Sequence, residues 1–284
     1  MKKIVAMLLM LTMLLTAAAS AEETFTFKMG FDAEYPPYTY LGEDGEYTGY
    51  DIEMCQRVCE ILGWDLELVP VNWDTKLLTL DAGEVDCIWS GLTIDVIDPE
   101  QYTLSFAYSD NSQMILTKAS NGIETLDDLA GKIVGVQLGT SADILLSEGG
   151  DCEELAATFG ELVRFENYNV CFTELMADSI DAIAIDIGVA AEKIAQYGDE
   201  YVMLDESFAS EEYGICFRKD DTEMCAQVEE AFMQLVEDGT YVELAEKYGL
   251  DTAALCLASD AEATAEAEPA AEEAAAAETE EAAE

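Results

Sequence analysis

Leu80-Asp81-Ala82-Gly83-Glu84-Val85-Asp86-Cys87-Ile88 and, further along, Leu175-Met176-Ala177-Asp178-Ser179-Ile180-Asp181-Ala182-Ile183 carry one pattern twice. In each copy the end of an amphipathic helix meets a short turn, and a β-branched residue followed by Asp opens an apolar strand. The repetition implies two similar α/β lobes. Each strand then runs into small and polar residues, Ser90-Gly91-Leu92-Thr93 in the first copy and Asp186-Ile187-Gly188 in the second. These stretches are expected to be loops. In open parallel sheets ligands bind outside the carboxyl ends of the strands, so both are candidates to meet a ligand.

The rest of the chain alternates short apolar strands with amphipathic helices, the signature of the α/β class. Strands are expected at 25–30, 66–71, 85–89, 133–136, 162–165 and 180–185. Helices are expected at 52–62, 74–81, 172–176, 222–237 and 241–248, with Gly239 as a stop between the last two. Another helix is expected to start at Gly139-Thr140-Ser141, with Ser or Thr as its cap.

The ends read differently from the core. Residues 1–21 carry Lys2 and Lys3, an apolar stretch and then Ala19-Ser20-Ala21, the pattern of a cleaved export signal. Residues 258–284 form a tail that from Asp260 onward is Ala, Glu and Thr with one Pro and no basic residue, a composition expected to stay solvated and disordered. The net charge of the whole chain is −49. Without the signal and the ten acids of the tail, 51 acidic residues still face 10 basic ones. Such a surface excludes nucleic acid and anionic lipid as partners, since both recruit a basic face, and it suits a cationic or zwitterionic solute. No histidine occurs, which removes Ser-His-Asp and Cys-His nucleophile pairs and the commonest metal ligand. The eight cysteines have no C-x-x-C spacing, so zinc ribbons and thioredoxin-like motifs have no support. In an exported protein an even number permits disulfides, but Cys55, Cys59 and Cys87 read more readily as small core residues.

Gly30-Phe31-Asp32-Ala33-Glu34-Tyr35-Pro36-Pro37-Tyr38 offers a carboxylate and two aromatic faces on a loop stiffened by two prolines. It reads as a grip for a small polar molecule or as an acidic surface turn. Beside it stand Gly49-Tyr50-Asp51-Ile52-Glu53, Asp81 to Asp86 leading into Ser90-Gly91-Leu92-Thr93-Ile94, Gly135-Val136-Gln137-Leu138-Gly139-Thr140-Ser141, Tyr213-Gly214-Ile215, and Asp238-Gly239-Thr240-Tyr241. In this order the motifs resemble the family 3 extracellular solute-binding proteins of amino-acid ABC importers, with the type II periplasmic-binding-protein fold.

The resemblance implies a two-lobed α/β protein whose chain crosses twice at a hinge. Lobe 1 would comprise 25–112 plus 211–257, and lobe 2 would comprise 113–210. An amino acid or related amine would lie in the cleft between them. The implied ligand-binding residues are Asp32, Tyr35, Ser90, Gly91, Thr93, Thr140, Ser141 and Asp186. Tyr35 would pack on the ligand and Asp32 face its side chain. Ser90, Gly91 and Thr93 would meet its polar groups, the helix start at Thr140 and Ser141 would receive a carboxylate, and Asp186 would pair with the α-ammonium. The implied partner is a membrane permease. A monomer in the periplasm or at the cell surface is expected, with no lipid anchor, catalytic residue, metal or cofactor. The rival readings are a dehydratase-like enzyme on the same scaffold and a sensory or scaffold module.

One departure stands out. Family members usually carry an arginine a few residues after the Thr93-Ile94 position to grip the carboxylate, and here the matching residue is Asp98, with no Lys or Arg between Leu77 and Thr117. Losing one partner of a buried charge pair costs about 2 to 5 kcal/mol. The ligand lacks a free carboxylate, or Lys76 or Lys118 enters from elsewhere, or ligand binding has been lost.

Overall fold

The computed structural model describes residues 24–258; the signal segment and all of the tail beyond residue 258 lie outside them. The strands, in chain order, are β1 (Thr26–Phe31), β2 (Glu34–Tyr35), β3 (Thr39–Leu41), β4 (Tyr47–Thr48), β5 (Asp65–Pro70), β6 (Cys87–Thr93), β7 (Tyr102–Leu104), β8 (Ser109–Lys118), β9 (Ile133–Gln137), β10 (Glu161–Phe165), β11 (Ala182–Asp186), β12 (Tyr201–Met203) and β13 (Ala209–Arg218). Most belong to one sheet of order β10-β9-β11-β8-β13-β6-β1-β5. At one end β5, β1 and β6 run parallel, and at the other β10, β9 and β11 do. Between them lie β8 and β13, antiparallel to each other and each ten residues long. The first half of β13 pairs with the first half of β8, while its second half pairs with β6 and β7. The second half of β8 pairs with β11 and β12. These two strands therefore join the parallel ends of the sheet.

Each end carries its own apolar cluster. Trp73, Leu80, Val85, Ile88 and Leu92 pack together beside β6, and Val134, Val136, Ala142, Leu146, Ala182 and Ala184 pack together beside β9 and β11. A larger cluster runs between them through Tyr35, Tyr38, Tyr108, Tyr168 and Tyr213. The helix Tyr50–Leu62 shows how sequence dictates such packing: Ile52, Cys55, Val58 and Cys59 are buried on one face, and Gly63 in the left-handed region ends it by donating to Cys59 and Glu60. All eight cysteines are free thiols, and Cys55, Cys59 and Cys87 are fully or almost fully buried.

Several expectations are corrected. Ser90-Gly91-Leu92-Thr93 is not a loop; β6 continues to Thr93 because Tyr213 and Gly214 pair with Thr93 and Leu92. Asp186 closes β11 and stands directly before the helix Ile187–Tyr197, which the sequence reading omitted. The strand expected at 85–89 begins at Cys87, since Val85 still belongs to the turn region after the helix Lys76–Asp81. Gly239, with φ of 85°, occupies the N-cap of the helix Thr240–Lys247 as well as following the helix Thr222–Glu237.

Gly49 is the glycine with the strictest requirement. Its φ of 127° and ψ of 169° lie in a region essentially reserved for glycine, and a Cβ there would stand 2.1 Å from the carbonyl oxygen of Tyr38. That contact sets the start of the helix Tyr50–Leu62 against the Tyr35–Tyr38 loop. Gly49→Ala is expected to destabilise the protein by about 3 kcal/mol, read by urea denaturation with an unchanged m-value. A loss below about 1 kcal/mol would show that the loop yields instead.

Candidate functional site

A partly open cavity of about 90 Å³ lies where the two ends of the sheet face each other. Tyr35, Trp73, Lys76, Gly91 and Thr93 line it from the β1–β6 side, and Gly139, Thr140, Ser141, Ile144 and Asp186 from the β9–β11 side. Six of the eight residues expected from sequence are thus in its wall. Asp32 and Ser90 are not. Ser90 lies behind the wall, bonded through Oγ to the Asp32 amide and to Thr39 Oγ1. The Asp32 carboxylate accepts from Gln137 Nε2 at 2.6 Å and from the Glu34 amide at 2.9 Å, so it ties the two sides together rather than facing the space. Burial pushes its pKa up.

The wall is built by close approaches. Gly91, at φ of 51°, lies under the Tyr35 ring, where a Cβ would come within 2.7 Å of the ring edge. Its amide donates to Asp51 Oδ2 at 2.6 Å, and Tyr108 donates to the same oxygen. Asp51, from the Gly-Tyr-Asp motif, therefore holds the Gly91 peptide from behind. Opposite, Gly139 at φ of 75° abuts Asp74, whose Cα a Cβ would meet at 2.6 Å. Lys76 Nζ crosses the gap to the Gly139 carbonyl at 2.7 Å and also bonds Trp73 O. Burial lowers the Lys76 pKa to about 8, against the raising effect of Asp74. Lys118 does not reach the cavity; its ammonium is held by Met176 O and Asp178.

Thr140 does cap a helix, accepting from the Asp143 amide, but that helix, Ser141–Leu146, has only six residues. Its first turn already contains a buried carboxylate, Asp143, which accepts from the Gly139 amide and from Arg164 Nε. The helix end is correspondingly less inviting to an anion.

Around Asp186 the structure gathers groups that sequence reading missed. Asp186 Oδ1 accepts from Asn111 Nδ2, Gln113 Nε2 and Tyr213 Oη, and Oδ2 accepts from Tyr168 Oη. The same two amide nitrogens donate to Glu211 Oε1, at 2.6 and 2.7 Å, and Thr93 and Ser141 donate their hydroxyls to that oxygen. Glu211 lies across from Asn111 in the β8–β13 ladder. Its pKa is raised to about 7, first by burial and then by the charge of Asp186. A signal existed: Ser109, Asn111 and Gln113 on β8 alternate with more exposed residues, as do Glu211 and Tyr213 on β13, so both strands turn a polar stripe inward.

This architecture agrees with the comparisons. The model of the bacterial extracellular solute-binding proteins, family 3, matches residues 27–251. The chain is 29% identical to an L-cystine-binding protein of Escherichia coli over 229 residues, covering 80% of this chain and 84% of that one. It is 30% identical to the lysine/arginine/ornithine-binding periplasmic protein of Escherichia coli over 259 residues, covering 87% and 97%. The crystal structure of an ABC uptake transporter substrate-binding protein from Streptococcus pneumoniae with bound histidine superposes with a TM-score of 0.73 at 29% identity, covering 78% of this chain and 92% of that one. The chain belongs to the family 3 bacterial extracellular solute-binding proteins, and its fold is that of the type II periplasmic binding proteins.

The buried carboxyls give the fold a pH dependence. Burial also raises Asp51 to about 7, opposed by its bonds to Gly91 and Tyr108. A carboxyl whose folded-state pKa exceeds its unfolded value stabilises fully below the unfolded value, and the contribution is lost as pH rises through the folded one. Unfolding free energy should therefore fall between pH 5 and pH 8. Glu211→Gln should reduce that fall by about 2 kcal/mol, measured by denaturant titration at both pH values. An equal fall in the variant would show that Glu211 ionises as freely as in the unfolded chain.

Proposed function

We propose that this protein is the extracytoplasmic solute-binding component of an ABC importer, which takes an amino acid or related amine into its inter-lobe cleft and presents it to a membrane permease. The lobes are 25–112 plus 211–257 and 113–210, with β8 and β13 as the hinge strands. The ligand-binding set is Tyr35, Gly91, Thr93, Thr140, Ser141 and Asp186, with Asp32 and Ser90 supporting it. The observation that carries the reading is Asp186: a carboxylate 3% exposed in the cavity wall, aimed by four donors and placed to hold an ammonium group.

The cavity is smaller than the few hundred cubic ångströms typical of ligand sites, so the two sides part to admit a solute and close over it. The export signal read at residues 1–21 supports a place outside the cytoplasm, and among the described residues no helix is long and apolar enough to cross a membrane. The acidic surface supports a monomer that engages no nucleic acid. Binding, rather than turnover, fits a cavity bordered by one lysine in a chain without histidine, where a dehydratase would need a general acid and a grip on substrate carboxylates.

A thermal-stability screen against amino acids and amines tests this, since a ligand that binds only the folded state raises its melting temperature. At least one such solute is expected to raise it, and Asp186→Ala to weaken that solute at least tenfold. No response to any of them would remove the transport reading; a response untouched by Asp186→Ala would remove the assignment of the ammonium partner.

A further inference from the structure

Thr93 and Ser141 stand in the cavity wall, yet both direct their hydroxyl protons away from it, to Glu211 Oε1. A hydroxyl that donates backwards shows a ligand only its lone pairs. The wall at this end is therefore an acceptor surface, composed of two hydroxyl oxygens and the Asp186 carboxylate. Behind it, three more acceptors are buried without a partner: Glu211 Oε2, Asn111 Oδ1 and Gln113 Oε1, on side chains 6%, 4% and 0% exposed. Orphaned acceptors in such number call for a donor, because an unsatisfied buried polar atom is costly.

Cations that could offset a ligand carboxylate are missing from this end. Among the described residues Arg57 pairs with Glu60, Arg164 with Asp143, and Arg218 with Asp86 and Asp221. Asp98, at the position that matches the family's arginine, is exposed and bonds Gln101. Lys76 lines the cavity, with two of its protons engaged by backbone carbonyls.

We propose that Glu211 determines specificity: by occupying the Thr93 and Ser141 donors with a built-in carboxylate, it commits the cleft to amines or guanidines that carry no α-carboxylate. This rests on the binding function proposed above and narrows its ligand class. An amino acid would have to bring its carboxylate against two buried acids, whereas its decarboxylated counterpart brings only the ammonium those acids attract. The ammonium lies against Asp186, with the orphaned oxygens adding to the negative potential there.

Matched pairs that differ only in the carboxylate decide the matter: ornithine and 1,4-diaminobutane, lysine and 1,5-diaminopentane, arginine and agmatine, histidine and histamine. Their affinities for the purified protein are to be measured by calorimetry. In every pair that binds, the amine should bind at least tenfold more tightly than the amino acid. Glu211→Gln, nearly isosteric, should reduce that preference to less than threefold. An amino acid that binds as tightly as its amine overturns the inference while leaving the binding function intact, and this comparison needs no variant to fold. A folded variant that keeps the full preference also overturns it. Silence from all eight compounds, with a neutral or acidic amino acid responding in the thermal screen, would overturn this inference and leave the binding function intact.

Discussion

Two carboxyl groups share one pair of amide donors at the centre of this molecule. Asp186 and Glu211 both accept from Asn111 Nδ2 and Gln113 Nε2, which keeps two acids close together in a buried place without a cation. Mutual repulsion and desolvation oppose that arrangement, and the raised pKa of Glu211 is its signature. It persists because the four side chains come from three adjacent strands whose register is fixed by backbone pairing: Glu211 faces Asn111, and Asp186 faces Gln113. The ladder holds the acids where their charges alone would not leave them. Since β8 and β13 are also the strands that join the two ends of the sheet, the electrostatic centre and the mechanical connection of the protein coincide.

The α/β class, the family and much of the cavity wall were legible in the sequence because they rest on local signals. The helix Tyr50–Leu62 announces itself by apolar spacing, and the capping role of Thr140 by its residue type. Tyr35, Gly91, Thr93, Thr140, Ser141 and Asp186 lie in short motifs and meet in one cavity. What escaped reading was long-range. β8 begins Ser-Asp-Asn-Ser-Gln, a composition that reads as a loop, and it becomes a strand only because β13 and β11 flank it. Glu211 escaped for the same reason: one acid among many on an acidic chain, it is singled out only by the four donors that converge on it.

Asp32 shows how a motif can be read correctly as a landmark and still be given too direct a role, and Asp51, to which the sequence assigned none, supports the wall in a similar way. Both are buried acids near the cavity, yet neither lines it. Asp51 fixes the Gly91 peptide, and Asp32 joins Glu34 to Gln137 across the two sides. Each turns its oxygens to fixed donors of the protein itself, the Gly91 amide and Tyr108 hydroxyl for Asp51 and the Glu34 and Gln137 amides for Asp32, which suits a group that must keep a geometry constant while the cavity beside it changes occupancy.

Trp73 supplies a consequence of another kind. The chain has three tryptophans, at 64, 73 and 89, and Trp73 alone of them borders the cavity, with the Lys76 ammonium 4.5 Å from its ring centre. Indole emission responds to a nearby charge and to the polarity around it. Any movement that lifts Lys76 from its carbonyl partners would alter both at once, so the molecule carries an optical reporter in the wall of its own cavity, through which the closure proposed above could be timed in the unlabelled protein.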